Sequence, residues 1–203
     1  KRVGFPRDRI ETAIAKGTGE GADGGRYEEV TYEGFGPGGM QILVDTLTDN
    51  KNRTVADVRM IFEEIGGRMG DSGSVSWNFD IKGLIVVRSG HMQKATKYGG
   101  TDSYVKENRD EVMMKLMDIE GINDIKEIDL DGVEGLEVYT SYSDLNRVRD
   151  SINDLGYVIE ESEIIKEPKM IKSLSEKELE KATNAIERFE DNDDVQNVWS
   201  DIE

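Results

Sequence analysis

The chain has 203 residues, 36% hydrophobic and 34% charged, with a formal net charge of -17, one histidine and no cysteine. Without cysteine there is no disulfide framework and no thiolate metal site, and no apolar run approaches the roughly 18 residues of a membrane span. The start does not read as a secretory signal, so a bacterial-type cytoplasm, or a mitochondrial matrix in a eukaryote, is the expected location.

In chain order, residues 5–16 read as a helix, with Pro6 at its start, Ile10, Ala13 and Ile14 as its stripe and Gly17 as its stop. The glycine-rich run at 17–25 reads as a linker. Residues 40–48 alternate as a strand, with Met40, Ile42 and Val44 on one face and Leu43 and Leu47 on the other. Thr54 is the expected N-cap of a helix with Val55, Val58, Phe62 and Ile65 inward and Gly66 as its end. Val75, Trp77, Phe79 and Ile81 alternate as a second strand, which places Trp77 in the core; Gly83 turns the chain into a third at Leu84–Val87.

Residues 88–106 read as an irregular loop. Helical pattern resumes with Asn108 and Glu111 as a cap pair, and Asp131-Gly132 signals a hairpin between strands near 124–130 and 135–140. Ser143 is the expected cap of the next helix, followed by a strand at 157–165. Ser175 and Glu178 form a capping box for a helix with Leu179, Ala182, Ile186 and Phe189 inward, and Val195–Ser200 is the last strand. The fold class expected from this order is α+β: a truncated N-terminal helical domain, then two ferredoxin-like βαββαβ domains, one inserted in the other. The expected boundaries are 1–25 for the helical remnant and linker, 26–82 with 167–203 for a discontinuous domain, and 83–166 for the inserted one.

Charge is unevenly spread. Residues 1–106 carry 15 basic and 15 acidic side chains, and residues 107–203 carry 11 and 28. An acidic protein is a poor general duplex binder, because each neutralised phosphate needs a Lys or Arg, and any basic contact is expected in the N-terminal half. Asn50-Lys51-Asn52-Arg53 lies where a strand ends and a helix begins. It reads either as a capping turn or as a phosphate contact at a helix N-terminus, with Arg59 and Arg68 extending the patch. Gly34-x-Gly36-x-x-Gly39 matches a dinucleotide fingerprint as a string, but a strand follows it and Pro37 removes an amide. Gly36, Gly38 and Gly39 therefore read as a tight turn, or as a loop open to close approach by a nucleic acid.

The 82–106 segment holds Lys82, Arg88, Lys94, Lys97 and Lys106 with Tyr98 and Tyr104, a composition that suits a single strand or a solvated loop alike. His91 has no partner at metal-ligand spacing, and no nucleophile or acid–base constellation emerges. No catalytic residue, metal or cofactor is expected, and a protein-interaction module that uses the acidic C-terminal half is the weaker alternative to nucleic-acid binding.

Three separated motifs, in order, carry a family resemblance. They are Pro6-Arg7-Asp8-Arg9-Ile10-Glu11 with Lys16-Gly17, the block from Tyr32-Glu33-Gly34-Phe35-Gly36-Pro37-Gly38-Gly39 to Gly73-Ser74-Val75-Ser76-Trp77, and Asp193-Asp194-Val195-Gln196-Asn197-Val198-Trp199. They resemble the YebC/PmpR family, which includes mitochondrial translational activators of cytochrome oxidase. The resemblance implies a Lys- and Arg-rich arm ahead of Lys1, so the chain reads as a fragment. It also implies a non-enzymatic regulator that binds DNA or, as a ribosome-associated factor, rRNA or tRNA, with no membrane and no small-molecule substrate. It tips the Asn50–Arg53 turn toward a phosphate contact, and the candidate nucleic-acid-binding residues are Lys51, Asn52, Arg53, Arg59, Arg68, Gly36, Gly38 and Gly39.

Overall fold

The computed structural model describes residues 27–93 and 103–202. The helix and linker expected at 1–25, and Lys94, Lys97 and Tyr98, lie outside the described residues. Nine strands and four helices are described. They are β1 (Glu28–Phe35), β2 (Gln41–Thr48), α1 (Lys51–Glu64), β3 (Arg68–Met69), β4 (Phe79–Gln93), β5 (Ser103–Lys106), α2 (Arg109–Met117), β6 (Ile122–Leu130), β7 (Val133–Ser141), α3 (Leu145–Asp154), β8 (Tyr157–Pro168), α4 (Glu176–Glu190) and β9 (Val195–Ser200). The chain divides into two units, one made of the residues up to Phe79 with those from Pro168, the other Asp80–Glu167.

The first unit is an antiparallel sheet in the order β3-β1-β2-β9. Both faces of β2 are buried, and its alternation assigns them. Met40, Ile42 and Val44 pack with Val58, Ile61 and Phe62 of α1 and Ala182 and Phe189 of α4. Phe62 and Phe189 meet edge to face, centroids 4.7 Å apart. On the opposite face Leu43 packs with Val75 and Phe79, flanked by Phe35 and Trp199.

In the second unit β5, β4, β7 and β6 lie in that order, with β8 also paired to β4. Val112 and Leu116 of α2 and Leu145, Val148 and Ile152 of α3 cover Ile85, Val87, Leu136 and Val138. The β6–β7 turn holds Asp131 and Gly132 at φ 54° and 84°, the double positive φ of the hairpin turn expected there. No described helix is long and apolar enough to cross a membrane.

Several local expectations are corrected. β1 was not anticipated, so the first unit runs ββαβ and then αβ rather than βαββαβ. The N-cap of α1 is Asn50, whose side chain accepts from Arg53 N at 3.1 Å. Thr54 is instead fully buried inside the helix, because its hydroxyl has acceptors in Thr48 and Asp194. Asp144 rather than Ser143 precedes α3, with no side-chain cap bond. Gly83 makes no turn: it sits within β4, where an added Cβ would lie 2.3 Å from Thr140 Oγ1.

Residues 88–93 and 103–106 are paired strand rather than loop. Lys82 pairs with Glu167, Arg88 with Glu160 and Lys106 with Glu134, so these charges are already matched. Trp77 is 51% exposed, in a single 3₁₀ turn (Ser76–Asn78) that breaks the expected alternation before β4 begins. The Asn108 cap and the Ser175–Glu178 box form as the residues suggest.

Candidate nucleic-acid interface

The residues singled out from sequence fall at two ends of α1. Lys51, Asn52 and Arg53 are its first three residues, not a turn before it. Arg68, in β3, lies beyond its other end. Fourteen helical residues separate these ends by about 20 Å. Arg59 lies between them, on the exposed side.

The N-terminal end is divided further. Lys51 turns toward β1, its ammonium 2.6 Å from Glu28, with both partners more than half exposed. Arg53 turns the other way. Its Nη2 donates to both oxygens of Asp194 at 2.8 and 3.0 Å and to Asp49 at 3.1 Å. Asp194 is 7% exposed and also accepts from Thr54 Oγ1 at 2.7 Å and Thr48 Oγ1 at 3.2 Å. Burial pushes this carboxyl up, but hydrogen bonds from Arg53 and Thr54 outweigh it and hold the group below the usual aspartate range. Arg53 thus fastens α1 to the chain just ahead of β9, and its charge is largely committed.

At the other end the glycines converge. Residues 36–40 form the β1–β2 hairpin loop, closed by Gly36 N to Met40 O at 2.8 Å, with Pro37–Gly39 in a 3₁₀ turn and Gly38 and Gly39 at φ 64° and 73°. Phe35, Gly36 and Gly39 then face Gly66, Gly67 and Arg68 across a cavity of about 310 Å³. Gly67 is required by contact, since a Cβ there would lie 2.2 Å from the Phe35 carbonyl oxygen. The Arg68 guanidinium rests over the Phe35 ring, 5.1 Å from its centroid, and the side chain remains exposed. Lys172 donates to Gly39 O at 3.0 Å. No carboxylate lines this cleft. The amides of Gly36, Gly39, Gly66 and Gly67 are bonded within the protein. Gly36 and Gly67 are demanded by internal packing, since an added Cβ on Gly36 would lie 2.8 Å from Ile42, whereas at Gly66 the same atom would meet open space.

Glu33 was part of the glycine-rich motif, but sequence reading gave it no role. It is 8% exposed and accepts from Gly73 N, Val75 N and Ser76 N at 2.8, 2.7 and 2.9 Å. Burial raises its pKa, and these amides more than offset that, so the carboxyl sits below the usual glutamate range. It holds the Gly70–Ser76 segment in place and thereby presents Trp77, whose indole N–H donates to Ser74 O. The available signal was its period-2 position: Glu33 shares a strand face with Phe35, which packs against the second core cluster. His91 meets Glu107 at 2.7 Å, and Lys115 binds the same carboxylate at 2.6 Å. Among the described residues no group of three His, Asp or Glu is placed to hold a metal.

Comparison with known proteins places this arrangement. Residues 27–202 match the family model described as the TACO1/YebC second and third domain. A probable transcriptional regulatory protein of Deinococcus radiodurans is 39% identical over 98% of this chain and 72% of its own length. One of Caldanaerobacter subterraneus is 41% identical over 100% of this chain and 75% of its own. The crystal structure of a conserved hypothetical protein from Aquifex aeolicus superposes with a TM-score of 0.73 at 32% identity, covering 98% of this chain and 73% of that one. The hairpin loop, α1 and β9 thus all lie within the matched residues, and the chain belongs to the TACO1/YebC family.

Proposed function

We propose that this chain is a non-enzymatic regulator of gene expression that binds nucleic acid through its first unit. The names of its relatives, probable transcriptional regulatory proteins, support regulation at the level of transcription, and on this reading the ligand is DNA. The observation that carries the reading is the glycine-lined cleft with exposed Arg68 and no carboxylate, in a chain of net charge -17. Gly38 and Gly39, exposed on the loop that Gly36 packs against the core, allow close approach of a sugar–phosphate backbone, and Arg68 and Arg59 supply charge. Lys51 and Asn52 make a second contact point one helix length away, while Arg53 positions the helix. The two units are read as ferredoxin-like folds, the second inserted in a first whose strand order is permuted, with residues 1–25 as the remnant of a helical domain.

A second reading, a ribosome-associated factor contacting rRNA, draws on Trp77. An exposed indole held by its own loop suits unpaired bases, which stack on aromatic rings. Both readings are tested by measuring affinity for duplex DNA and for single-stranded RNA against salt, in the full chain and in Arg59→Gln/Arg68→Gln. Loss of two phosphate contacts flattens the log–log salt slope by about 1.8 for duplex and about 1.4 for single strands. Absence of binding to either probe at low salt, or an unchanged slope with the fold intact, overturns the assignment.

A further inference from the structure

The acidic half of the chain carries one basic face. In α4, Lys177, Lys181, Asn184 and Arg188 recur at intervals of four, three and four, so they form one stripe along the helix. All four are exposed. The helix's glutamates at 176, 180 and 187 fall on the neighbouring stripe, and Ala182, Ala185 and Phe189 face the core. The basic stripe borders a groove of about 500 Å³ between α4 and the end of α1, lined by Lys181, Asn184 and Arg188 on one side and Glu64, Ile65 and Gly66 on the other. Gly66 also lines the Arg68 cleft, so the two concavities adjoin. The hairpin loop touches the start of α4 as well: a Cβ on Gly38 would lie 2.7 Å from Leu174 and 3.4 Å from the Glu178 carboxyl.

We infer that α4 supplies the second wall of a continuous track for the phosphodiester backbone of a single nucleic-acid strand, running from Arg188 past Lys181 and Gly66 to Arg68. The inference rests on the nucleic-acid reading above and extends it to a helix whose sequence neighbourhood is acidic. Charge supports the track. Its two linings carry Lys181, Arg188 and Arg68 against Glu64 alone, the reverse of the chain's balance. Glu64 pairs with Arg188 at 3.1 Å, with both side chains more than 40% exposed, so a phosphate can take its place at small cost. Glu178, near Gly38 of the hairpin loop, is held by Ser175 N and Oγ at 3.0 and 2.6 Å. Lys181 and Arg188 are about 10.5 Å apart along the helix, more than the reach between adjacent phosphates, so they would meet phosphates that are not immediate neighbours on the strand. No aromatic ring lines the groove, so it reads the backbone without selecting sequence.

The test compares the full chain with Lys181→Gln/Arg188→Gln and with Arg59→Gln/Arg68→Gln. The probes are a labelled oligouridylate and a labelled DNA duplex, each titrated across salt, with a melting curve for each variant. The α4 variant is expected to keep its melting curve and to flatten the slope for oligouridylate by about 1.4. If the Arg59/Arg68 variant weakens binding while the α4 variant binds as the parent does, the α4 wall is wrong and the nucleic-acid reading stands. If the parent binds neither probe at low salt, that reading falls and the track with it. Equal affinity for duplex, lost equally in the α4 variant, overturns the single-strand assignment.

Discussion

Replacing Asp194 by Ala should destabilise the first unit by about 3 kcal/mol. Its carboxylate receives Arg53, Thr54 and Thr48, and both threonines are essentially fully buried. Thr54 Oγ1 can turn to Asn50 O at 3.0 Å, so its loss is partly absorbed. Thr48 Oγ1 keeps only its neighbours Thr54 and Asn50 N, and loses a charged acceptor. Charge-assisted hydrogen bonds contribute about 1.5–3 kcal/mol each. Arg53 is half exposed and rehydrates, so its part is discounted to about 1 kcal/mol or less. By the same reasoning Arg53→Ala costs about 1–2 kcal/mol, because it strips a buried carboxylate of its counter-ion. Lys51→Ala, removing an exposed pair, changes stability by at most about 0.5 kcal/mol. Removing Arg53 is therefore not the neutral surface change that a free turn residue would give. Both tryptophans, Trp77 and Trp199, lie in the first unit. Tryptophan fluorescence during urea unfolding thus follows that unit. The pH dependence adds a sign. The folded pKa of Asp194 is depressed, so its contribution is fully present above the unfolded value of about 3.9. That contribution disappears as pH falls through the folded pKa, and Asp194→Ala should show a flatter stability profile on the acid side. A cost below about 1 kcal/mol with an unchanged acid limb would refute the account.

Glu33→Gln should release the segment of residues 70–76, speeding hydrogen exchange at the Gly73, Val75 and Ser76 amides, at a cost of about 2 kcal/mol; undiminished protection would count against the clamp. Gly67→Ala places a methyl 2.2 Å from a backbone oxygen and should cost about 1–3 kcal/mol in chemical denaturation; a neutral change would mean the two loops are not in contact. Trp77→Ala should cost under about 1 kcal/mol, whereas Phe62→Ala should cost about 3–5. Comparable thermal shifts for those two substitutions would place Trp77 back in a core.

Much of the fold was legible because local chemistry and periodicity agreed. The alternation of β2 named both of its faces, Val58 and Phe62 marked the inner stripe of α1, and Asp131-Gly132 and Ser175–Glu178 announced a turn and a cap through their own side chains and backbone preferences. The family was legible too, since its motifs are local strings. What failed depended on partners distant in sequence. Thr54 read as a cap until a buried aspartate 140 positions away gave its hydroxyl an interior acceptor. Trp77 read as core until the Glu33 clamp turned its segment outward. Arg53 read as part of a capping turn or as a phosphate contact until Asp194 claimed its charge. The candidate site divided for the same reason. Lys51, Arg53 and Arg68 share one helix and its flanks, yet a rigid 14-residue rod sets its ends apart, while Gly36, Gly66 and Arg68, separated along the chain, meet across one cleft. The basic stripe of α4 was hidden by averaging over an acidic half. Composition sums charge along the chain, whereas a ligand responds only to the charges that folding brings to one face.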